Sequence, residues 1–188
     1  YYNFENNIND QSQNSNNLKA SNSSNISYEK GIIGKAYSFN GIDNQLSTIS
    51  PTGLASSNGT VSYWVKTTST ETRTLLILGD DSVDFDTYYN STGFYINGKQ
   101  AKHNLSNAIA DGSWKHIVVT FENDNTTKYY LNGILQNTFT NDNLDLGSHI
   151  FLGHWKNKFL NADLLDEVKI YNRVLNQSDI LELYNLSI

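Results

Sequence analysis

A period of two runs through this chain and limits its fold more than any other feature. Thr60–Lys66 places Val61, Tyr63 and Val65 on one face and Ser62, Trp64 and Lys66 on the other, the alternation of a half-buried strand. Trp114–Phe121 is apolar on both faces, which predicts a central strand between packed layers. Lys128–Leu131 and Ile134–Phe139 flank Asn132-Gly133, a pair that tolerates the positive φ angles of a type I′ hairpin turn. Asn-Gly recurs at Asn40-Gly41, Asn58-Gly59 and Asn97-Gly98, each beside a strand-like run. Further strands are predicted over 36–40, 45–49, 73–79, 93–97, 149–153 and 164–171.

Many short strands with polar turns between them predict an all-β fold, a two-sheet antiparallel β-sandwich or jelly roll. One short C-terminal helix is predicted. Asn176 can cap it, and Ile180, Leu181, Leu183 and Tyr184 follow at helical spacing, an apolar side expected to rest on the sandwich rim. The 188 residues are read as a single domain. Residues 5–27, dominated by Asn, Ser and Gln, are expected to be a long polar loop, with Tyr1, Tyr2 and Phe4 anchoring the chain start.

Composition removes several chemistries. There is no cysteine, hence no disulfide framework, zinc ribbon or thiol catalysis. The net charge of -6 without basic runs argues against nucleic acid and anionic membranes as partners. No stretch approaches the ~18 apolar residues of a membrane span, and no signal peptide is recognisable. A chain that starts at Tyr rather than Met is expected to be an excised or processed fragment. Roughly one residue in seven is asparagine, so the Asn-x-Ser/Thr matches, Asn22, Asn90 and Asn125 among them, are expected by chance.

Several segments together resemble one family. Gly31-Ile-Ile-Gly34-Lys-Ala36-Tyr-Ser-Phe39-Asn-Gly41-Ile-Asp43 is similar to the G-x-x-G-x-A-x-x-F-x-G-x-D segment of laminin-G-like, concanavalin A-like lectin/glucanase jelly rolls. Thr60–Lys66 resembles their T-I-S-x-W-V-K strand, Gly112–Thr120 their G-x-W-x-H-V-A-V-T, and Tyr130–Gly133 their Y-V-N-G. Leu165–Leu175 resembles I-D-E-V-R-I-Y-N-R-A-L, and Asp10-Gln-Ser12-Gln-Asn14 the family's D-x-S-x-N opening. A more distant likeness is to the lectin-like half of clostridial neurotoxin receptor-binding regions. The resemblance implies structural packing for Trp64, Trp114 and His116. It also implies membership of a larger extracellular parent protein with other domains, secreted or on a cell surface, and the asparagine-rich, cysteine-free composition points to a bacterial one. The fold hosts lectins, adhesion modules and enzymes, so it does not by itself choose among them.

Glucanases of this broad fold carry Glu-x-Asp-x-Glu on one strand, which sets acid and nucleophile about one bond. The six glutamates here, at 5, 29, 71, 122, 167 and 182, form no such motif, and no Gly-x-Ser-x-Gly elbow occurs. No catalytic residues are assigned. The expected function is non-catalytic binding of a glycan or cell-surface glycoconjugate, with protein adhesion or a spacer role as the alternative. Trp155 stands in the polar segment Gly153–Lys158 with His154, Lys156 and Asn157, and sugars stack C–H faces on such rings while amides and amines bind hydroxyls. Tyr88, Tyr89 and Asn90, in the loop after the acidic run that holds Asp84 and Asp86, have the same composition, and the two loops are expected to border one glycan site. The alternative is that Trp155 and one tyrosine roof the core.

On the predicted strand 164–171, Asp166 shares parity with Leu164, Val168 and Ile170, and a buried carboxylate needs a cation or several donors. A structural Ca²⁺ tying the final strand to the chain start is one reading, since that ion takes six to eight oxygens. Asp10, Ser12 and Asp43 near the entry, with Asn14 and Asn44, and Asp166 and Glu167 near the exit, would supply them. The other reading is that Asp166 caps backbone amides at a bend, or pairs with Lys35 or Arg173.

Overall fold

The computed structural model describes residues 1–54, 58–79, 85–90, 93–98, 102–105, 109–122, 124–140, 148–155, 158–159 and 161–187. In chain order the strands are β1 (Lys19–Ala20), β2 (Ser27–Lys30), β3 (Lys35–Asn40), β4 (Leu46–Ile49), β5 (Gly59–Lys66), β6 (Arg73–Leu78), β7 (Phe85–Asn90) and β8 (Gly93–Gly98). They continue as β9 (Lys102–Asn104), β10 (Lys115–Phe121), β11 (Thr127–Leu131), β12 (Ile134–Phe139), β13 (His149–Leu152), β14 (His154–Trp155), β15 (Lys158–Phe159) and β16 (Asn161–Tyr171). A helix, α1 (Gln177–Asn185), follows.

Among the described residues there are two seven-stranded sheets, ordered β1-β4-β13-β6-β7-β8-β9 and β12-β11-β10-β5-β16-β3-β2, with β14 and β15 as a separate pair. All pairings are antiparallel. This is the expected sandwich. The core forms where inward residues of both sheets meet: Tyr37, Phe39, Val61, Tyr63, Val65, Ile117 and Val119 from the second, Leu46, Leu76, Leu78, Tyr89, Phe94, Ile96, Ile150 and Leu152 from the first. The alternation read at 60–66 is the observed one. Val61, Tyr63 and Val65 enter this core, while Trp64 packs on the opposite face in a cluster of three rings, its centroid 4.9 Å from His116 and 5.6 Å from Tyr184 of α1, with His116 and Tyr184 themselves 6.0 Å apart. At the β11–β12 turn Asn132 and Gly133 have φ of 51° and 76°, both positive as a type I′ turn requires.

Four details depart from the sequence reading. The helix covers the outer face of the second sheet, not its rim: Ile180 and Leu175 pack on Val118 and Tyr130. Its capping box, Asn176 with Asp179, is complete. Residues 5–27 carry β1, a 3-10 turn at Ser23–Asn25 and the start of β2, so the stretch is less of a loop than its composition suggests. Phe85–Asn90 is a strand rather than a loop, because it pairs on both sides with β6 and β8. Finally, β16 carries a bulge between Asp166 and Lys169, with Glu167 at φ 51°. The extra residue switches parity, so Leu165 and Val168 both reach the core and Asp166 shares a face with Leu164 but not with Val168.

Tyr2 bridges to Val168 beside the bulge, exchanging backbone bonds of 2.8 and 2.9 Å. Tyr2 and Phe4 are buried in the core, the anchoring expected for the chain start. Residues 1–17 then run as a strap over one end of the sandwich. Asn16 pins the strap down, its amide donating to the Thr52 carbonyl at 3.0 Å and accepting from the Thr52 N–H at 2.8 Å.

Candidate functional site

The strap and the end of β16 enclose a cleft of about 320 Å³. Leu54, Ile150 and Ile170 line its apolar side, and Tyr1, Tyr2, Asp10, Ser12, Asn14, Asn16, Lys169 and Tyr171 supply its polar groups. The bulge matters here, because it turns Lys169 and Glu167 toward Tyr1. The Tyr1 hydroxyl donates to Glu167 Oε1 at 2.6 Å, Lys169 Nζ donates to Glu167 Oε2 at 2.8 Å, and the same Nζ lies 4.8 Å over the Tyr1 ring. On the strap, Asp10 accepts from the Tyr1 nitrogen at 2.8 Å, from the Ser12 N–H and hydroxyl at 2.9 and 2.7 Å, and from the Asn16 N–H at 2.9 Å. Burial works against the Asp10 charge, yet these donors outweigh it and hold its pKa down at about 2.

The five residues considered as calcium ligands are not gathered into one place. Asp10 and Ser12 bind each other on the strap. Asp43 lies elsewhere and accepts the side-chain amides of Asn22 at 2.7 Å, Asn25 at 2.9 Å and Asn40 at 2.8 Å. The Asn22 and Asn40 orientations are fixed, because their oxygens accept backbone N–H groups of Ser24 and of Ile42, Asp43 and Asn44. Asp166 Oδ2 accepts the N–H groups of Ile32 and Ile33 at 3.0 and 3.2 Å, and Oδ1 accepts that of Glu167 at 2.8 Å. This is the amide-capping arrangement. Gly31 lets the turn approach, since a Cβ there would collide with the Asp166 carboxylate. Among the described residues no three His, Asp or Glu side chains converge as a metal cluster. Asp10, Asp43 and Asp166 are surrounded by N–H donors whose positive ends would face a cation, and Glu167 already binds Lys169 and Tyr1. As arranged, the set does not fit a shared calcium ion.

The residues considered for glycan contact divide differently. Asp84, Lys156 and Asn157 lie outside the described residues. His154 and Trp155 form β14, whose backbone runs beside β6; their side chains lie outside the described ones. Asp86, Tyr88 and Tyr89 belong to β7 and are buried. Tyr89 is a core residue at 0 % exposure, its hydroxyl donating to Asp163 Oδ2 at 2.9 Å, so it cannot present a ring to a sugar. Tyr88 stacks on Tyr95 across the strand pair at 4.7 Å. Sequence reading thus missed the cleft. Its signal was the aromatic Tyr1–Phe4 run beside a strap of hydrogen-bonding side chains.

A family profile described as the concanavalin A-like lectin/glucanases superfamily, laminin G type 3, matches residues 40–181. The chain belongs to this superfamily. A search of curated proteins found no match. Among solved structures, domain 4 of AbnA, a GH43 extracellular arabinanase from Geobacillus stearothermophilus in complex with arabinotriose, is 24% identical with a TM-score of 0.77, the match covering 97% of this chain and 96% of that one. The binding domain of paraclostridial mosquitocidal protein 1 is 20% identical, with a TM-score of 0.78, over 95% of this chain and 49% of that one. The binding domain of botulinum neurotoxin DC, in complex with rat synaptotagmin II, is 13% identical, with a TM-score of 0.79, over 100% and 50%. The laminin-G-like chain therefore spans about half the length of the two toxin domains. At these identities the likeness is one of fold. No helix among the described residues is long and apolar enough to cross a membrane.

Proposed function

We propose that this chain is a non-catalytic carbohydrate-binding module of a larger extracellular protein, secreted or cell-surface and bacterial. The cleft carries this reading. It is concave, about 320 Å³ in volume, walled by Tyr1 and Tyr171, and lined by amide and hydroxyl groups. Such a mixture of apolar surface with a few placed polar groups is what oligosaccharides bind. Catalysis has no support in it. Glycoside hydrolysis needs two carboxyl groups about the scissile bond, and among the described residues Asp10 is the one carboxylate in the lining, its oxygens occupied by N–H and O–H donors. The arabinanase domain bound to arabinotriose, matched over nearly the whole of both chains, adds support.

A protein ligand is the second reading, favoured by the neurotoxin neighbour seen with synaptotagmin II. A glycan array probed beside a pull-down on surface proteins separates the two. Array binding that free sugar competes away supports the carbohydrate reading. Protein capture indifferent to sugar, with an empty array, overturns it.

A further inference from the structure

We infer that the cleft accepts the uncharged end of a neutral oligosaccharide, with the Tyr171 hydroxyl and the Asn14 amide as its recognition pair. The inference rests on the carbohydrate reading and deepens it.

Accounting for each polar side chain in the lining leads there. The Tyr1 hydroxyl is spent on Glu167, and the Tyr2 hydroxyl on the Asn16 carbonyl at 2.7 Å. Ser12 donates to Asp10 and accepts the Asn14 N–H at 3.3 Å. The Asn16 amide is committed to Thr52 in both directions. Asp10 and Lys169 are engaged as described above. What remains is the Tyr171 hydroxyl and the Asn14 side-chain amide, neither of which has a hydrogen-bond partner among the described residues. Each can donate and accept, as a sugar hydroxyl does.

The charges decide the class of sugar. An acidic sugar would compete for Lys169, whose ammonium neutralises Glu167, itself only 5 % exposed. Taking that cation away leaves a buried carboxylate without its partner, which is costly. A cationic ligand would face the N–H donors gathered about Asp10. A neutral ligand disturbs neither pair. Burying the unpartnered Tyr171 and Asn14 groups under a ligand lacking hydroxyls would leave them unsatisfied, so the site also selects against purely apolar ligands.

The test uses the whole chain, an array of neutral and sialylated glycans, and titration calorimetry with arabinotriose and with N-acetylneuraminic acid. Binding to neutral glycans, arabinotriose the first probe, is expected, with none to N-acetylneuraminic acid. Tyr171→Phe and Asn14→Ala should each weaken binding about tenfold with unchanged circular dichroism. Wild-type affinity in both variants, with loss of binding in Trp155→Ala, places the site at β14; it overturns the cleft assignment and leaves the carbohydrate reading standing. Binding confined to sialylated glycans overturns the choice of a neutral sugar. Failure of the wild-type chain to bind any glycan overturns this inference and the proposed function together.

Discussion

The Asp166 carboxylate accepts the Ile32 N–H at 3.0 Å across 134 positions of sequence, closing the turn before β3 onto the bulge of β16. Burial, with the Glu167 charge beside it, pushes its pKa up to about 7 despite its backbone donors. The folded value lies above the unfolded one of about 3.9. Between the two, the folded chain keeps a proton that the unfolded chain has lost, so this contribution to stability is present near pH 4 and fades as pH rises to about 7. His116 does the reverse. Burial in the Trp64–Tyr184 stack, helped by the Lys169 charge, pushes its pKa down to about 3, so its contribution is present above about pH 6.5 and lost as pH falls. The two oppose each other between about pH 4 and 6.5. Melting midpoints over that range should therefore rise with pH in Asp166→Asn and fall with pH in His116→Gln, each relative to wild type. Parallel curves for the three proteins would contradict the assignment.

Phe4 sits at 0 % exposure against Tyr2 and Tyr37, its ring centroid 5.7 Å from that of Tyr37. Phe4→Ala should cost about 3–5 kcal/mol in urea unfolding, the range for truncating a buried aromatic. A cost below about 1 kcal/mol would mean the strap is an ornament to the sandwich rather than part of its core.

Gly133 has φ 76°, and a Cβ there would meet Leu181 and Tyr184 of α1 at 3.3 and 3.4 Å. Gly133→Ala strains the turn and presses on the helix at once, with an expected loss of about 1–2 kcal/mol. Near-UV circular dichroism checks the second effect, since Tyr184 stacks on Trp64.

Calcium enters as a measurement of its own. With the candidate carboxylates turned toward N–H donors, melting scans in EDTA and in millimolar calcium should coincide. A higher midpoint in calcium, removed by chelation and matched by elemental analysis, would show that the strap and β16 rearrange around an ion.

Much of the sandwich was legible because period-two alternation survives wherever one strand face meets the core and the other meets solvent. Asn132-Gly133 announced its turn for a local reason, as did Asn176 its helix. β7 was missed because Asp86 and the Tyr88-Tyr89 pair read as polar loop, while pairing on both sides buries them. The bulge at Glu167 left no mark, since neither Gly nor Asn holds its positive φ. The carboxylates at 10 and 166 drew attention as metal ligands. In the structure their partners are mostly backbone amides, which every sequence carries and no composition reveals. The cleft was hidden for a similar reason. Tyr1, Asn14, Leu54 and Tyr171 are remote from one another in sequence, and only the strap's path across the sandwich joins them.

That path has a consequence for when and for how long the module can recognise anything. One wall of the cleft is the strap and the other is the end of β16, far apart in sequence, so recognition waits for that long-range contact to form. A protease that cuts within the strap could blind the module while leaving most of both sheets standing. A bound ligand, by clasping both walls, would shield the strap from that cut. Occupancy of the cleft and resistance of the strap to cleavage would then rise together.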